Sequence, residues 1–355
     1  MQLFPTQTTE YQASEAGNGR NSLSLWLDLE KGRICKPELQ KATTMKTTKA
    51  FALLCLVLLH APPIRSQPRP RVIFNIVESQ NLNFCHWDHA EIQTVDTSAL
   101  KIVYDLQYRR KSDSDASSRQ LTVVQIGSEK LKYYSMITQY WDHVYHTIAR
   151  LLPAHPVPGQ MISYTPTERD RWIREHAGAD YINSEIWIDR TQRMLTERMH
   201  HYTIKNESIE YDEQRPDFEW RLLDGCDTIC GYACLTAETA FRGRKWSVWY
   251  APELPFDGGP WKFGGLPGVI LRVRDADGDF CWECCELTCD REPMLYYKVH
   301  STRIDRKKWH RYRQRVHEAP LDILSEGGRV QYRLQMKPIT PDSRWTIPYD
   351  PIELE

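Results

Sequence analysis

Residues 241–271 read FRGRKWSVWYAPELPFDGGPWKFGGLPGVIL, and this stretch decides the fold class. Arg244–Tyr250 is rich in aromatic side chains, a pattern typical of a β-strand. Prolines at 252, 255 and 260 remove backbone donors, and together with Gly258 and Gly259 they favour turns. Val269–Arg274 is a second run of strand length. The stretch therefore predicts two strands joined by an aromatic, turn-rich connection.

The aromatic side chains of this connection have two interpretations. In the first, they pack against each other and make a tight link between the two strands. In the second, Trp249, Trp261 and Phe263 line a groove that receives a partner segment or an apolar ligand. A phosphate loop is excluded, because neither GxxxxGK[ST] nor GxGxxG occurs.

Strand-like patterns continue on both sides of this stretch. They cover residues 72–77, 99–108, 121–126, 130–135, 181–189, 194–205 and 208–211. Helices are predicted over Ile137–Leu152, from an N-cap at Thr165 to about His176, and over Arg306–His317 behind an Asp305 cap. The sequence thus predicts a mainly β protein: one curved, meander-like antiparallel sheet with a helical insertion and a late helix. A single domain, residues 67–355, is expected.

The central stretch resembles the GLPGLI family, exported proteins of Gram-negative bacteria of the Bacteroides group. The naming hexapeptide is present as Gly265–Ile270, with Val269 where leucine is usual, and residues 348–354 resemble the family's ending. The motif residues are Trp249, Pro252, Glu253, Pro260, Trp261, Lys262, Phe263, Gly265, Leu266, Pro267, Gly268, Val269 and Ile270. The resemblance covers about Leu100–Glu355 and implies export and a mostly antiparallel β fold. It implies no activity, cofactor or catalytic residue.

An apolar run near the start of the chain predicts a secretory leader. Ala50–Leu59 is ten residues long, too short to span a bilayer, and it follows two lysines in residues 45–49. We expect cleavage between Ser66 and Gln67. Residues 1–44 then precede the signal peptide (residues 45–66), and we interpret them as a spurious extension; a genuine long leader is the alternative. The exported chain would carry no transmembrane anchor.

Overall charge and composition exclude several classes of function. The chain has 355 residues with 46 basic and 47 acidic side chains, so it is not a general nucleic-acid binder. Its 12 tryptophans and 10 cysteines are the unusual counts. An aromatic-rich sheet favours a protein that binds an apolar ligand or an envelope protein. An enzyme whose site is assembled from scattered residues and a structural envelope component are the alternatives, and no cofactor is predicted.

Eight cysteines follow the leader, and an even number in an oxidising compartment favours disulfides. They are Cys85, Cys226, Cys230, Cys234, Cys281, Cys284, Cys285 and Cys289. Six of them form two rows with a spacing of four: Cys226, Cys230, Cys234 and Cys281, Cys285, Cys289. On strands, such residues share a face but lie about 13 Å apart, so they must bond to another segment. We expect disulfides between the two rows; a thiolate metal site built from these six, or redox exchange at Cys281 and Cys284, are alternatives.

Two further groups contain residue types that bind metals, but neither has a complete set of ligands. Asp275, Asp277 and Asp279 lack the length and the distal glutamate of an EF-hand loop, and Asp277-Gly278 is a hairpin signal. His143 and His146 share a helix face with Asp142, but the sequence offers no third ligand. Neither group is predicted to bind metal.

Overall fold

The computed structural model describes residues 72–75, 91–109, 117–151, 161–178, 184–200, 208–298, 301–318 and 351–354. Residues 1–66, Gln67 and Cys85 lie outside this part of the chain, so the predictions made for them stay predictions. Among the described residues, no helix is long and apolar enough to span a bilayer.

The described chain is built mainly from strands. These are β1 (Val72–Asn75), β2 (Glu91–Arg109), β3 (Ser117–Gly127), β4 (Lys130–Ser135), β5 (Met161–Tyr164), β6 (Ser184–Asp189), β7 (Met194–His200), β8 (Ser208–Gln214), β9 (Arg221–Ile229), β10 (Tyr232–Phe241), β11 (Arg244–Ala251), β12 (Val269–Asp275), β13 (Phe280–Thr288), β14 (Pro293–Lys298) and β15 (Ser301–Arg303). The helices are α1 (Met136–Leu151), α2 (Glu168–His176) and α3 (Arg306–Glu318).

Thirteen strands form one open sheet, which confirms the predicted fold class. The strand order is β15-β8-β7-β6-β4-β3-β2-β13-β12-β11-β10-β9, and β14 pairs with the first half of β2. Neighbouring strands are antiparallel except β15 and β8, which pair in parallel. β1 and β5 form a separate two-stranded sheet.

The main core lies on one face of this sheet. Because side chains alternate along a strand, Ile102, Tyr104 and Leu106 of β2 all point into this core and are fully buried. Val103, between them, points to the opposite face and packs under α1 and α2 with Tyr140 and other apolar side chains. The two helices therefore cover the second face of the sheet near β2, β3 and β4.

Helix α3 packs against β8 beside the main core. Its Trp309 is fully buried and lies 5.2 Å from the ring of Tyr211, centroid to centroid. The backbone N–H of Lys308 donates to Asp305 Oδ1 over 2.8 Å, which confirms the predicted N-cap.

Helix α2 begins two residues later than its sequence predicts. The N-cap is Thr167 instead of Thr165: Thr167 Oγ1 accepts from the Asp170 N–H, and Asp170 Oδ2 accepts from the Thr167 N–H. The Asp170 side chain is buried, so its carboxylate needs the donors that this capping box provides.

Candidate functional site

The connection between β11 and β12, residues 252–268, is a packed part of the core. Trp261 and Phe263 are 2% and 0% exposed. The ring of Phe263 lies 5.1 Å from that of Trp246 on β11 and 5.4 Å from that of Trp261. The groove interpretation is therefore wrong for these two residues, because the aromatic rings bury each other. Trp249 is half-buried, and its ring lies 5.1 Å from the Arg272 guanidinium.

The hexapeptide supplies backbone shape and core side chains. Leu266, Val269 and Ile270 are buried, whereas Pro267 is exposed, as are Pro252 and Glu253. Gly268 has φ +155°, and a Cβ there would lie 2.3 Å from the carbonyl oxygen of Ala251. Only glycine permits this close backbone approach.

Lys262 of the same connection lies at the centre of a buried ionic group. Its Nζ donates to Glu353 Oε1 over 2.5 Å, to Tyr211 Oη over 2.5 Å and to Glu213 Oε1 over 3.0 Å, and lies 3.2 Å from Glu197 Oε2. The Tyr211 hydroxyl in turn donates to Glu197 Oε2 over 2.8 Å. We call these five residues the Lys262 cluster. The Lys262 side chain is 0% exposed, so a substrate has no access to its amine.

Further cations balance the three carboxylates of the Lys262 cluster. Arg242 donates to Glu213 over 2.7 Å, Arg306 donates to Glu353, and Arg313 lies 3.6 Å from Glu197. His310 Nε2 lies 3.1 Å from Glu353 Oε2. Each carboxylate therefore meets at least two positive or polar partners, as buried charges require.

The charges of the Lys262 cluster shift each other's pKa values strongly. Burial opposes the charged form of Lys262, but the carboxylates of Glu197, Glu353 and Glu213 outweigh it and raise the pKa. Burial would likewise raise the pKa of Glu353, yet Lys262, His310 and Arg306 hold it well below its usual range. The amine thus stays protonated and the carboxylate ionised, which suits a structural ion cluster and disfavours a general base.

Glu353 comes from the segment that resembles the family's ending. This segment also accepts hydrogen bonds from Arg244 through the carbonyls of Ile352 and Pro351, each over 3.0 Å. The two parts of the chain that carry the resemblance therefore meet in one buried structure.

Arg244 also neutralises the acidic turn that joins β12 to β13. Its Nη1 lies 2.8 Å from Asp275 and 3.1 Å from Asp279. The carboxylates of Asp275, Asp277 and Asp279 lie within 4.8 Å of one another. Because a guanidinium already occupies this position, the acidic turn is satisfied without a metal ion. The hairpin predicted from Asp277-Gly278 is confirmed.

The first cysteine row does not lie on one strand, contrary to prediction. Cys226 is on β9, Cys230 is in the turn, and Cys234 is on β10, because Cys230-Gly231 makes a two-residue hairpin turn with φ +50° and +85°. In the second row, Cys281 and Cys285 lie on β13 and Cys289 follows it. Within the described chain, no three of these sulfurs come close enough to hold one metal ion, so the six-cysteine metal site is not formed.

One cysteine of the first row contacts β13. Cys230 Sγ lies 3.2 Å from Cys284 Sγ, with no bond between the sulfurs. Cys284 belongs to neither row, although it is one of the predicted disulfide cysteines. Disulfide formation stays a prediction.

A pocket opens on the face of the sheet opposite the main core. Its volume is about 460 Å³. Its lining combines two aromatic rings with charged and amide side chains: Gln93, Val95, Lys130, Trp187, Asp189, Gln192, Met194, Thr196, Glu210, Asp212, Tyr296 and Arg303. We call this the β6–β8 pocket. The pocket lies over β6, β7 and β8, whereas α1 and α2 pack on the same face of the sheet over β2, β3 and β4.

Ion pairs and hydrogen bonds hold the lining of the β6–β8 pocket in place. Asp189 accepts from Lys130 over 2.6 Å, Asp212 accepts from the Thr196 hydroxyl over 2.7 Å, and Arg303 donates to Glu210 over 2.6 Å. The pKa of Asp189 is lowered by the Gln192 backbone N–H and by Lys130, so this carboxylate is ionised at neutral pH.

The two aromatic rings of the pocket are fixed by their neighbours. The Trp187 and Tyr296 rings meet edge to face at 5.7 Å. The Arg198 guanidinium lies 4.3 Å from the Tyr296 ring and pairs with Glu185 beneath it. Such fixed rings and polar groups are typical of small-molecule sites.

The sequence predictions missed this pocket, although β6 carried a signal for it. Ile186 and Ile188 point into the main core, so the intervening Trp187 must lie on the other face. A tryptophan on a face that the core does not use indicates a second packing or binding surface. Tyr296 comes from β14, and no spacing pattern connects it to β6.

Comparisons with known proteins assign no family to this chain. No family model matches it. No curated protein matches it. Among solved structures, PNGF-II in its P21 and C2 crystal forms is similar at 14% identity, with TM-scores of 0.40 and 0.39, over 61% and 60% of this chain. The chain spans about a third of the length of those structures (33% and 32%), and a similarity this low assigns neither fold nor activity.

Proposed function

We propose that this protein is exported to the cell envelope and binds a small ligand in the β6–β8 pocket of its sheet. The observation that carries the proposal is the pocket itself, about 460 Å³ in volume and lined by the Trp187 and Tyr296 rings beside fixed carboxylates. This volume falls within the range of about 300–1,000 Å³ that ligand pockets occupy.

The lining indicates the chemistry of the ligand. The half-buried Tyr296 ring offers an aromatic surface beside Trp187, which is 8% exposed, while Asp189, Glu210 and Asp212 offer acceptor oxygens. Lys130 and Arg303 balance two of the three negative charges, so the pocket does not demand a strongly charged ligand. A compact molecule with hydroxyl or amino groups and one apolar face fits this lining best.

Sequence features support export. The lysine-flanked apolar run at Ala50–Leu59, the small residue before the expected cut at Ser66, and the GLPGLI-like stretch each favour a secreted chain. N-terminal sequencing of the protein recovered from the cell envelope tests this, and the expected first residue is Gln67. A mature N-terminus upstream of Met45 would overturn the leader assignment.

Ligand binding is tested with a panel of monosaccharides, amino sugars and amino acids, measured by calorimetry on the full chain. At least one compound is expected to bind the wild type. Tyr296→Ala should weaken this binding about tenfold, the equivalent of about 1.4 kcal/mol of lost ring contact. Trp249→Ala is the matched control, because it removes a half-buried ring from β11 and should change affinity less than twofold.

Two results would overturn the pocket as the binding site. One is that no compound in the panel binds. The other is that Trp249→Ala weakens binding as much as Tyr296→Ala does. The pocket would then not be distinguished from the central stretch, residues 241–271, as the binding site.

A further inference from the structure

Cys230 occupies a position that its residue type does not favour. It is the first residue of the two-residue turn between β9 and β10, with φ +50°, and Gly231 follows with φ +85°. Both central residues of such a turn need positive φ, which is why asparagine, aspartate and glycine predominate there. A cysteine at this position is strained, and the strain persists only where other contacts stabilise the turn.

That contact is made with Cys284 on β13. The two Sγ atoms lie 3.2 Å apart, and Cys230 Sγ is also 3.1 Å from the carbonyl oxygen of Cys284. A disulfide needs about 2.05 Å, so closing the pair requires the sulfurs to approach by about 1.2 Å. β13 has a bulge immediately after Cys284, and such bulges re-aim neighbouring side chains.

The pair connects parts of the sheet that are not neighbours. β11 and β12 lie between β10 and β13 in the strand order, so backbone hydrogen bonds do not join the β9–β10 turn to β13. Ile229, Cys234 and Cys284 nevertheless belong to the same core cluster. The turn therefore closes over one end of the core, and the Cys230–Cys284 contact lies at that closure.

The two thiols differ in the way that stepwise oxidation requires. Cys230 is exposed and Cys284 is buried, so an external disulfide can reach only the first. The contact with Cys284 lowers the pKa of Cys230, whereas that contact and burial raise the pKa of Cys284. The accessible thiol is thus the better nucleophile.

We propose that Cys230 and Cys284 form a specific disulfide that fastens the β9–β10 turn to β13, made by exchange with an external disulfide oxidant. The Cys230 thiolate attacks one sulfur of the oxidant, whose other sulfur leaves as a thiolate. The Cys284 thiolate then attacks Cys230 Sγ in the mixed disulfide, and the remaining oxidant sulfur leaves. Two protein thiols lose two electrons and two protons, and the oxidant becomes two thiols.

Peptide mapping tests this pairing on the full chain equilibrated with oxidised glutathione and alkylated without reduction. Cleavage before aspartate and after glutamate gives Asp227–Glu238, with Cys230 and Cys234, and the tripeptide Cys284–Glu286. The linked product of these two peptides is expected, and tandem fragmentation should place the bond between Cys230 and Cys284. Reduction should abolish the product and expose two further alkylatable thiols.

Variants make the assignment specific. Cys230→Ser and Cys284→Ser should each eliminate the linked product. In Cys284→Ser the mixed disulfide of Cys230 with glutathione should persist, because no second thiol is there to displace the glutathione. Cys226→Ser is the matched control, because it removes an exposed cysteine of the same hairpin and should retain the product. If Cys230 and Cys284 are both alkylated in the oxidised wild type, or if Cys284 is linked to a different cysteine, the proposal is wrong.

Discussion

The Lys262 cluster and the β6–β8 pocket use similar residues in opposite ways. Both combine aromatic rings with carboxylates and cations, and both involve β7 and β8. In the cluster the side chains of Lys262 and Glu197 are 0% and 3% exposed, whereas Arg303 in the pocket is 63% exposed. The side chains of the Lys262 cluster are closed off by their own ion pairs, whereas the β6–β8 pocket is open to solvent.

The two groups differ in whether the GLPGLI-like stretch contributes residues to them. The GLPGLI-like stretch supplies Lys262 and the segment ending at Leu354 supplies Glu353, while Glu197, Tyr211 and Glu213 of the Lys262 cluster come from β7 and β8. The pocket uses residues that belong to no motif. We infer that the motif encodes architecture, and the ligand binding that we propose depends on strands outside it.

The largest effect is expected from Lys262→Met. Removing the amine leaves Glu197, Glu213 and Glu353 buried with less compensation, and breaking a buried ion group by removing one partner costs about 3–5 kcal/mol. The free energy of unfolding in urea measures this loss. Lys245→Met is the matched control, because Lys245 is exposed on β11. A loss equal to that of the control would show that the cluster is not structural.

A smaller loss is expected from Gly268→Ala. The new Cβ would lie 2.3 Å from the Ala251 carbonyl oxygen at φ +155°, and strain plus overpacking should cost about 2–4 kcal/mol. Gly265→Ala is the control within the same hexapeptide: its φ is +82°, but its nearest neighbour is Trp220 Nε1 at 3.6 Å. We expect it to cost about 1 kcal/mol. Equal losses in urea unfolding would contradict the close-approach explanation.

Acid should reduce the stability that the Lys262 cluster contributes to the folded protein. The pKa values of Glu197 and Glu353 are lowered in the folded state, so their contribution is complete above about pH 4.5 and is lost as pH falls below that value. The free energy of unfolding should therefore fall as the two carboxylates take up protons.

The acid loss can be assigned with two variants, compared by urea unfolding between pH 7 and pH 3. Glu353→Gln should reduce the acid-dependent fall. Asp189→Asn should leave most of it, because Asp189 is a partly exposed pocket carboxylate. A fall that Glu353→Gln leaves unchanged would place the acid-sensitive groups outside the cluster.

The smallest effect is expected from Arg303→Gln in the pocket. The Arg303 side chain is 63% exposed, whereas its partners Glu210 and Asp212 are 7% and 27% exposed, so solvent and salt screen these pairs from the arginine side. The free energy of unfolding should change by about 1 kcal/mol, less than for Lys262→Met. The same change should alter ligand affinity, because Arg303 lines the pocket. Calorimetry and urea unfolding on one preparation separate the two effects. A large stability loss would remove the contrast between the pocket and the cluster.

Local pattern predicted much of the sheet but none of the sealed cluster. β4 matches its predicted bounds, because Lys130–Ser135 is a strand with a turn before it. β9 was obscured by Asp224, Gly225 and Asp227, residue types that strands disfavour. Lys262 and Glu353 are 91 residues apart, so no spacing within one element could connect them.

The central place of β2 sets the timing of folding. Its first partner, β3, follows it directly, whereas Phe280 of β13 pairs with Tyr108 across 172 residues of chain. Sheets dominated by such non-local pairs fold slowly, over milliseconds to seconds. Until β13 and β14 arrive, one side of a 19-residue strand presents unpaired amides and carbonyls to other chains. During this interval the unpaired edge of β2 is the part of the sheet most exposed to pairing with a second copy of the chain.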